Sequence, residues 1–113
     1  SDLIVTGIAG EEMPIIPVGE ISVTENYGVT ITNLGGGVTG QFRTVMRVDG
    51  IEYDLGVVGN LNPNESIVLT QDIEFTAVGE FDIVVDVDPD GAVDEVSNVN
   101  NRGNLPVVVE AGS

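Results

Sequence analysis

The sequence predicts an all-β fold, a β-sandwich of about seven antiparallel strands in two sheets. Short runs rich in Val, Ile and Thr are separated by Gly, Asn, Asp and Pro, and turns recur about every 8 to 12 residues. No stretch of about eleven residues has the apolar spacing of an amphipathic helix. With 113 residues, 42% of them hydrophobic, we expect residues 1–113 to form one domain, cut from a larger multidomain protein.

The first part of the chain contains one regular strand and one irregular edge. Residues 2–8 are predicted as the first strand. Residues 11–19 contain Pro14 and Pro17, which removes two backbone donors, so this segment is predicted as an edge or crossover. Residues 21–23 could belong to the same edge.

The middle of the chain alternates clearly between apolar and polar residues. In residues 27–33, the apolar side chains of Tyr27, Val29 and Ile31 share one face, which predicts a half-buried strand. Residues 42–48 alternate in the same way, and residues 51–58 follow the turn sequence Asp49-Gly50. This dipeptide is typical of a type I′ hairpin.

The second half predicts three more strands. Residues 66–75 form a strand in which we expect a register change near Gln71, and the pattern restarts at Gly79. The next strand has one apolar face, formed by Phe81, Ile83, Val85 and Val87. Residues 88–104 are predicted as a long polar loop before a last strand at residues 105–109, and loops of this length are often functional.

The charge excludes several classes of partner. The chain contains nineteen acidic residues and three arginines, with no Lys or His, so the formal net charge is -16. Such a surface repels nucleic-acid phosphates and anionic lipids.

No apolar stretch approaches the ~20 residues that span a bilayer, so we expect no direct membrane insertion. Without His, Cys or Lys, most general bases and nucleophiles are missing, and we expect no enzyme.

One segment has the composition of a metal site. Residues 86–91 read D-x-D-x-D-G, and Ca²⁺ binds about six to eight oxygen ligands, often from carboxylates at alternate positions around a turn. The candidate ligands are Asp86, Asp88, Asp90, the backbone carbonyl of Ala92, Asp94 and Glu95. Two other interpretations stay open: solvated turn residues, and a general adaptation of the surface to high salt.

The same segment resembles a known family. Residues 88–101 are similar to the "D-P-D-N-x-I-x-E-S-N-E-x-N-N" segment of CARDB, the cell-adhesion-related domain found in bacteria and archaea. Residues 29–35 resemble its "V-T-V-T-N-x-G" strand. The resemblance implies a seven-stranded immunoglobulin-like sandwich. The residues of this chain that match the family's acidic motif are Asp88, Asp90, Glu95, Asn100 and Asn101. Gly91 and Val96 depart from the family pattern, and Val96 removes one possible oxygen ligand.

Together these features predict a Ca²⁺-stabilised structural or adhesion module of an extracellular or cell-surface protein, bacterial or archaeal by the family resemblance. Its expected partners are neighbouring domains of the same chain, and surface proteins or glycans are further candidates. A carbohydrate-binding module is the alternative, although the chain has no Trp and only Tyr27 and Tyr53. Arg43 and Arg47 could hold an acidic ligand, but pairing with Glu52 or Asp54 across strands is the commoner arrangement.

Overall fold

The computed structural model describes residues 2–88 and 102–113, which form two β-sheets around a common core. The strands are β1 (Leu3–Ala9), β2 (Ile15–Ile16), β3 (Val23–Asn33), β4 (Phe42–Val48), β5 (Ile51–Val58), β6 (Ser66–Phe75), β7 (Gly79–Val87) and β8 (Arg102–Ala111). One sheet has the order β1-β3-β6 and the other β2-β8-β7-β4-β5. The predicted all-β sandwich is confirmed, with the short β2 as an eighth strand.

The core forms where the predicted apolar faces meet. In the three-stranded sheet, Tyr27, Val29 and Ile31 of β3 have no exposed surface. Met46 of β4 and Val85 of β7 are equally buried in the five-stranded sheet. The alternation of the sequence therefore selects the inward faces of both sheets, because successive side chains of a strand point to opposite sides.

The turn between β4 and β5 has the predicted hairpin geometry. Asp49 and Gly50 both have positive φ angles, 51° and 77°. A type I′ turn requires φ above zero at both central residues, which Asp tolerates and Gly adopts freely. We call the end of the sandwich that carries this turn the hairpin end.

Two strand predictions are wrong. The β3–β6 ladder runs without interruption from Val23 opposite Phe75 to Thr32 opposite Ser66, so no register change occurs near Gln71. Gln71 is a polar residue at an inward, half-buried position opposite Tyr27, and the alternation continues through it. Val23 begins β3, so residues 21–23 are not part of the predicted edge.

That edge is formed by β2 instead. Ile15 pairs with Glu110 in a parallel arrangement, at the C-terminal end of β8. The remaining expectation for residues 11–19, an edge interrupted by prolines, agrees with a strand of two residues.

The last strand begins earlier than predicted. Arg102 pairs with Asp86 and Asn104 with Val84, so β8 starts three residues before the predicted position 105. The sequence Arg-Gly-Asn is polar, and its composition predicts a loop. Its backbone nevertheless joins the β7 ladder, because main-chain hydrogen bonds do not depend on apolar side chains.

Tyr27 connects the core to the segment after β1. Its hydroxyl donates a hydrogen bond of 2.6 Å to the carbonyl of Glu11, and its ring packs edge-on against Phe75 at a centroid distance of 6.3 Å. Burial, followed by the charges of Glu25 and Glu11, raises the pKa of Tyr27 from 10.0 to about 12.

This shift predicts a loss of stability at alkaline pH. A phenol whose folded pKa lies above its unfolded value stabilises the fold below pH 10, and this contribution disappears as the pH rises towards about 12. We therefore expect the midpoint of urea denaturation to fall between pH 10 and pH 12 in the native protein. The Tyr27→Phe variant serves as the control and should show a clearly shallower fall, whereas parallel curves would contradict the assignment.

Candidate metal centre

Hydrogen bonds across the fold bring the start of β1 and the residue after β7 to the same end of the sandwich. Asn33, which lies opposite Leu3, donates from Nδ2 to the carbonyl of Leu61 at 3.1 Å. Leu61 in turn exchanges two hydrogen bonds with Thr39, just before β4. At the start of β4, the carbonyl of Arg43 accepts a hydrogen bond of 2.7 Å from the backbone of Asp88. We call this end, opposite the hairpin end, the loop end.

Asp88 is a buried carboxylate at the loop end. It follows β7 directly, has a positive φ of 54° and is only 5% exposed. Asp is among the few residues other than Gly that adopt this backbone conformation readily. The turn therefore brings a carboxylate out of bulk solvent, which is the environment in which a carboxylate favours a cation as partner.

Asp86, the first of the predicted ligands, contacts two arginines in this structure. One carboxylate oxygen accepts a hydrogen bond of 2.6 Å from Nε of Arg102, and the other is bound by Nη1 of Arg47. The side chain is 13% exposed. The hydrogen bond and the charge of Asp86 raise the pKa of Arg102 further above its ordinary value. Both oxygens of the predicted ligand thus contact guanidinium groups in this structure.

These contacts extend into an ion-pair network on the outer face of the five-stranded sheet. Arg47 also binds Glu52 at 2.8 Å, and Arg43 lies 3.5 Å from Asp54. The predicted cross-strand pairing of Arg43 and Arg47 is confirmed. The network occupies all three cations of the chain. Most of its groups are exposed, so each pair adds little stability, on the order of 0–1 kcal/mol.

The other predicted ligands lie outside the described residues. They are Asp90, Ala92, Asp94, Glu95, Asn100 and Asn101. Their coordination of Ca²⁺ stays a prediction. Within residues 2–88 and 102–113, no group of three or more acidic side chains is close enough together to hold a metal ion.

Asp2 is a residue that sequence reasoning did not select. Its Oδ1 atom is buried and has no hydrogen-bond partner, a state that it shares among the described residues only with Oγ1 of Thr44. Thr44 lies opposite Val87 at the loop end, and Asp2 is bonded to Asn33 there. The oxygen donors at this end, Asp88 and Asp2, are the hard carboxylate ligands that Ca²⁺ prefers. No local sequence signal singles out Asp2, because its partners are distant in the chain.

The aromatic residues form no exposed platform. All five are described: Tyr27, Phe42 and Phe75 are buried, and Tyr53 and Phe81 are half-buried. Sugar-binding sandwiches commonly stack pyranose rings on exposed aromatic faces. The alternative function of carbohydrate binding stays a prediction without support from these side chains. The described part of the chain also contains no helix long and apolar enough to cross a bilayer.

Comparisons with known proteins agree on one family. The family model for CARDB matches residues 1–104. The crystal structure of a CARDB domain from Pyrococcus furiosus, described as a complex with di-metal ions, has a TM-score of 0.85 and 28% sequence identity. The alignment covers 97% of this chain and 94% of that chain. A search of the curated proteins finds no significant match.

Two solution structures are similar as well. The NMR structure of the same Pyrococcus furiosus domain has a TM-score of 0.78 and 28% identity, over 96% of this chain and 94% of that one. The third structure is residues 272–376 of a Methanosarcina acetivorans protein whose name assigns it provisionally to the cell surface. Its TM-score is 0.70 and its identity 25%, over 96% of this chain and 90% of that chain.

Proposed function

The chain belongs to the CARDB family, and on this premise we propose that it is a Ca²⁺-stabilised structural and adhesion module of a multidomain cell-surface or extracellular protein. The observation that carries the proposal is Asp88. Its carboxylate is buried at the end of the sandwich, at the first position of the family's acidic motif. The surface location is supported by the name of the Methanosarcina relative.

The stoichiometry that we propose is two divalent cations. The support is the Pyrococcus furiosus CARDB domain, which is described as a complex with di-metal ions. Ca²⁺ is favoured over softer metals because the chain contains neither His nor Cys, and the acidic residues 86–101 offer oxygen ligands without any sulfur. Two bound Ca²⁺ ions would also reduce the formal net charge of -16 and the self-repulsion that it causes.

The shape of the domain suits a spacer. Its principal extents are 51 × 22 × 21 Å. Leu3 lies at the loop end, whereas Val109 pairs with Gly79 near the hairpin end, so the start of β1 and the end of β8 lie at opposite ends of the sandwich. Neighbouring domains of the same parent chain are therefore the partners that we propose, with the ions stiffening one of the two junctions. The proposal assigns no catalytic activity to the domain.

We expect Ca²⁺ to raise the thermal stability of the domain. An ion at a hundred times its dissociation constant adds about 2.7 kcal/mol to the native state, which corresponds to roughly 10 °C in a domain of this size. Extracellular sites often bind Ca²⁺ at about 10⁻⁴ to 10⁻³ M, so the titration should extend to tens of millimolar. The measurement compares the melting temperature, followed by circular dichroism, in EDTA and in CaCl₂.

Two controls make this comparison specific. NaCl at matched ionic strength should reproduce only the screening of the negative surface. The Asp88→Asn variant keeps the size of the side chain but loses its charge, and we expect it to lose most of the response to Ca²⁺. An equal shift in NaCl, or an unchanged Ca²⁺ response in Asp88→Asn, would count against the proposal.

A further inference from the structure

Two buried side-chain oxygens in the described part of the chain lack a hydrogen-bond partner, and both lie at the loop end. One is Oδ1 of Asp2 and the other is Oγ1 of Thr44. Native proteins pair nearly all buried polar atoms, so such atoms often mark the place of an ion or water. A carboxylate oxygen is the costlier of the two to leave unpaired, because it carries charge.

We infer that the carboxylate of Asp2 is a further ligand of the ion site at the loop end, so that the ion ties the start of β1 to the residue that follows β7. The inference rests on the proposed function, since it adds a ligand to the same site. It connects two parts of the chain that belong to different sheets, β1 in the three-stranded sheet and β7 in the five-stranded one.

The backbone of Asp2 is held on both sides, which orients its side chain. Its N–H donates to Oδ1 of Asn33 at 3.1 Å, and its carbonyl accepts from the N–H of Leu34 at 2.8 Å. Asn33 is itself completely buried. A ligand on a main chain fixed in this way loses little conformational freedom when it binds an ion, which favours binding.

The position of Asp2 agrees with a role beside Asp88. Asn33, which binds Asp2, also donates to the carbonyl of Leu61, and the same carbonyl accepts from the N–H of Thr39. Thr39 lies just before β4, and at the start of β4 the carbonyl of Arg43 accepts from the N–H of Asp88. The start of β1 also approaches the start of β8. A Cβ atom added to Gly103 would lie 2.8 Å from Cγ1 of Val5. Asp2, Asp88 and Arg102 therefore lie at the same end of the sandwich.

The cations of the chain have other partners. Arg43, Arg47 and Arg102 are paired with Asp54, Glu52 and Asp86, and the sequence contains no Lys or His. The counter-charge for Asp2 would then come from solution. Ca²⁺ is suited to this position, because it accepts ligands from distant parts of a chain in flexible geometry.

The inference is tested by calorimetric titration of CaCl₂ into the wild-type domain and the Asp2→Asn variant. We expect about a tenfold loss of Ca²⁺ affinity in Asp2→Asn, because a charged ligand becomes a neutral one. The matched control is Asp49→Asn, which removes the same charge at the hairpin end. Asn is favoured at this position of a type I′ turn, so the variant should fold normally. Its Ca²⁺ affinity should stay within about a factor of two of that of the wild-type domain.

The outcomes separate this inference from the proposed function. If Asp88→Asn loses Ca²⁺ binding and Asp2→Asn keeps the wild-type affinity, the inference is wrong and the proposed function stands. If the wild-type domain does not bind Ca²⁺, both fail. The melting temperature in EDTA should be the same or higher in Asp2→Asn, since an unpaired charge is removed. A lower value together with weaker binding would overturn the inference, because Asp2 would then act through the fold.

Discussion

Replacing Asn33 with alanine is expected to lower the free energy of unfolding by about 3–5 kcal/mol. The Asn33 side chain is completely buried and uses its hydrogen-bonding capacity fully. Its Oδ1 accepts from the backbone of Asp2 at 3.1 Å and of Gly35 at 3.0 Å. Its Nδ2 donates to the carbonyls of Gly37 at 2.7 Å and Leu61 at 3.1 Å.

The expected loss is large because alanine leaves four backbone groups without these partners. Each buried polar group left unpaired costs about 1–3 kcal/mol, although water will satisfy some of them at the end of the sandwich. The side chain also joins three separate segments, the start of β1, the turn after β3 and the segment before β6. We therefore expect the loop end to lose order before the rest of the domain.

Two variants control this prediction. Asn33→Asp keeps the shape but loses both N–H donors and buries a charge, so it should be at least as destabilising as Asn33→Ala. Asn26→Ala removes an amide from the same strand, where it is exposed and bonded to Asp72 at 2.9 Å. That change should cost less than about 0.5 kcal/mol. Urea denaturation in EDTA, followed by circular dichroism, measures all three, and similar losses at Asn26 and Asn33 would contradict the prediction.

Gly10→Ala is expected to destabilise the domain by about 3 kcal/mol, the upper end of the usual cost of overpacking. A Cβ atom at Gly10 would lie 2.2 Å from Cδ1 and 2.6 Å from Cε1 of Tyr27. The Tyr27 ring cannot easily move away, because its hydroxyl is bonded to Glu11 and its ring packs against Phe75. The backbone after β1 must therefore shift.

This result would be opposite to the usual effect of the substitution. At an exposed glycine, alanine commonly stabilises a protein by about 0.4–1 kcal/mol through the unfolded state. Gly7→Ala is the matched control, since a Cβ atom at Gly7 meets no atom within 4 Å. We expect Gly7→Ala to be neutral or slightly stabilising. In a double variant, Tyr27→Ala should remove most of the penalty of Gly10→Ala, because the clashing ring is gone, and additive effects would contradict the proposed clash.

The sequence by itself determined the features that depend on neighbouring residues. The alternation in residues 27–33 predicts which side chains of β3 are buried, because a strand places every second residue on the same face. Asp49-Gly50 predicts its hairpin, because few residue pairs tolerate two positive φ angles. The acidic motif that starts at Asp86 predicts a metal centre, because carboxylates at alternate positions around a turn are typical Ca²⁺ ligands.

Only the tertiary structure decided which distant groups meet. Gln71 is polar, yet the continuous β3–β6 ladder keeps it at an inward position. Asp86 was a predicted ligand, but strand pairing brings Arg47 and Arg102 to its two oxygens. Asn33 is one of many polar residues in the sequence, and Asp2 is one of nineteen acidic residues. Their burial and their partners depend on how the two sheets pack together. Hydrogen bonds and ion pairs form between groups that are close in space, whatever their separation along the chain.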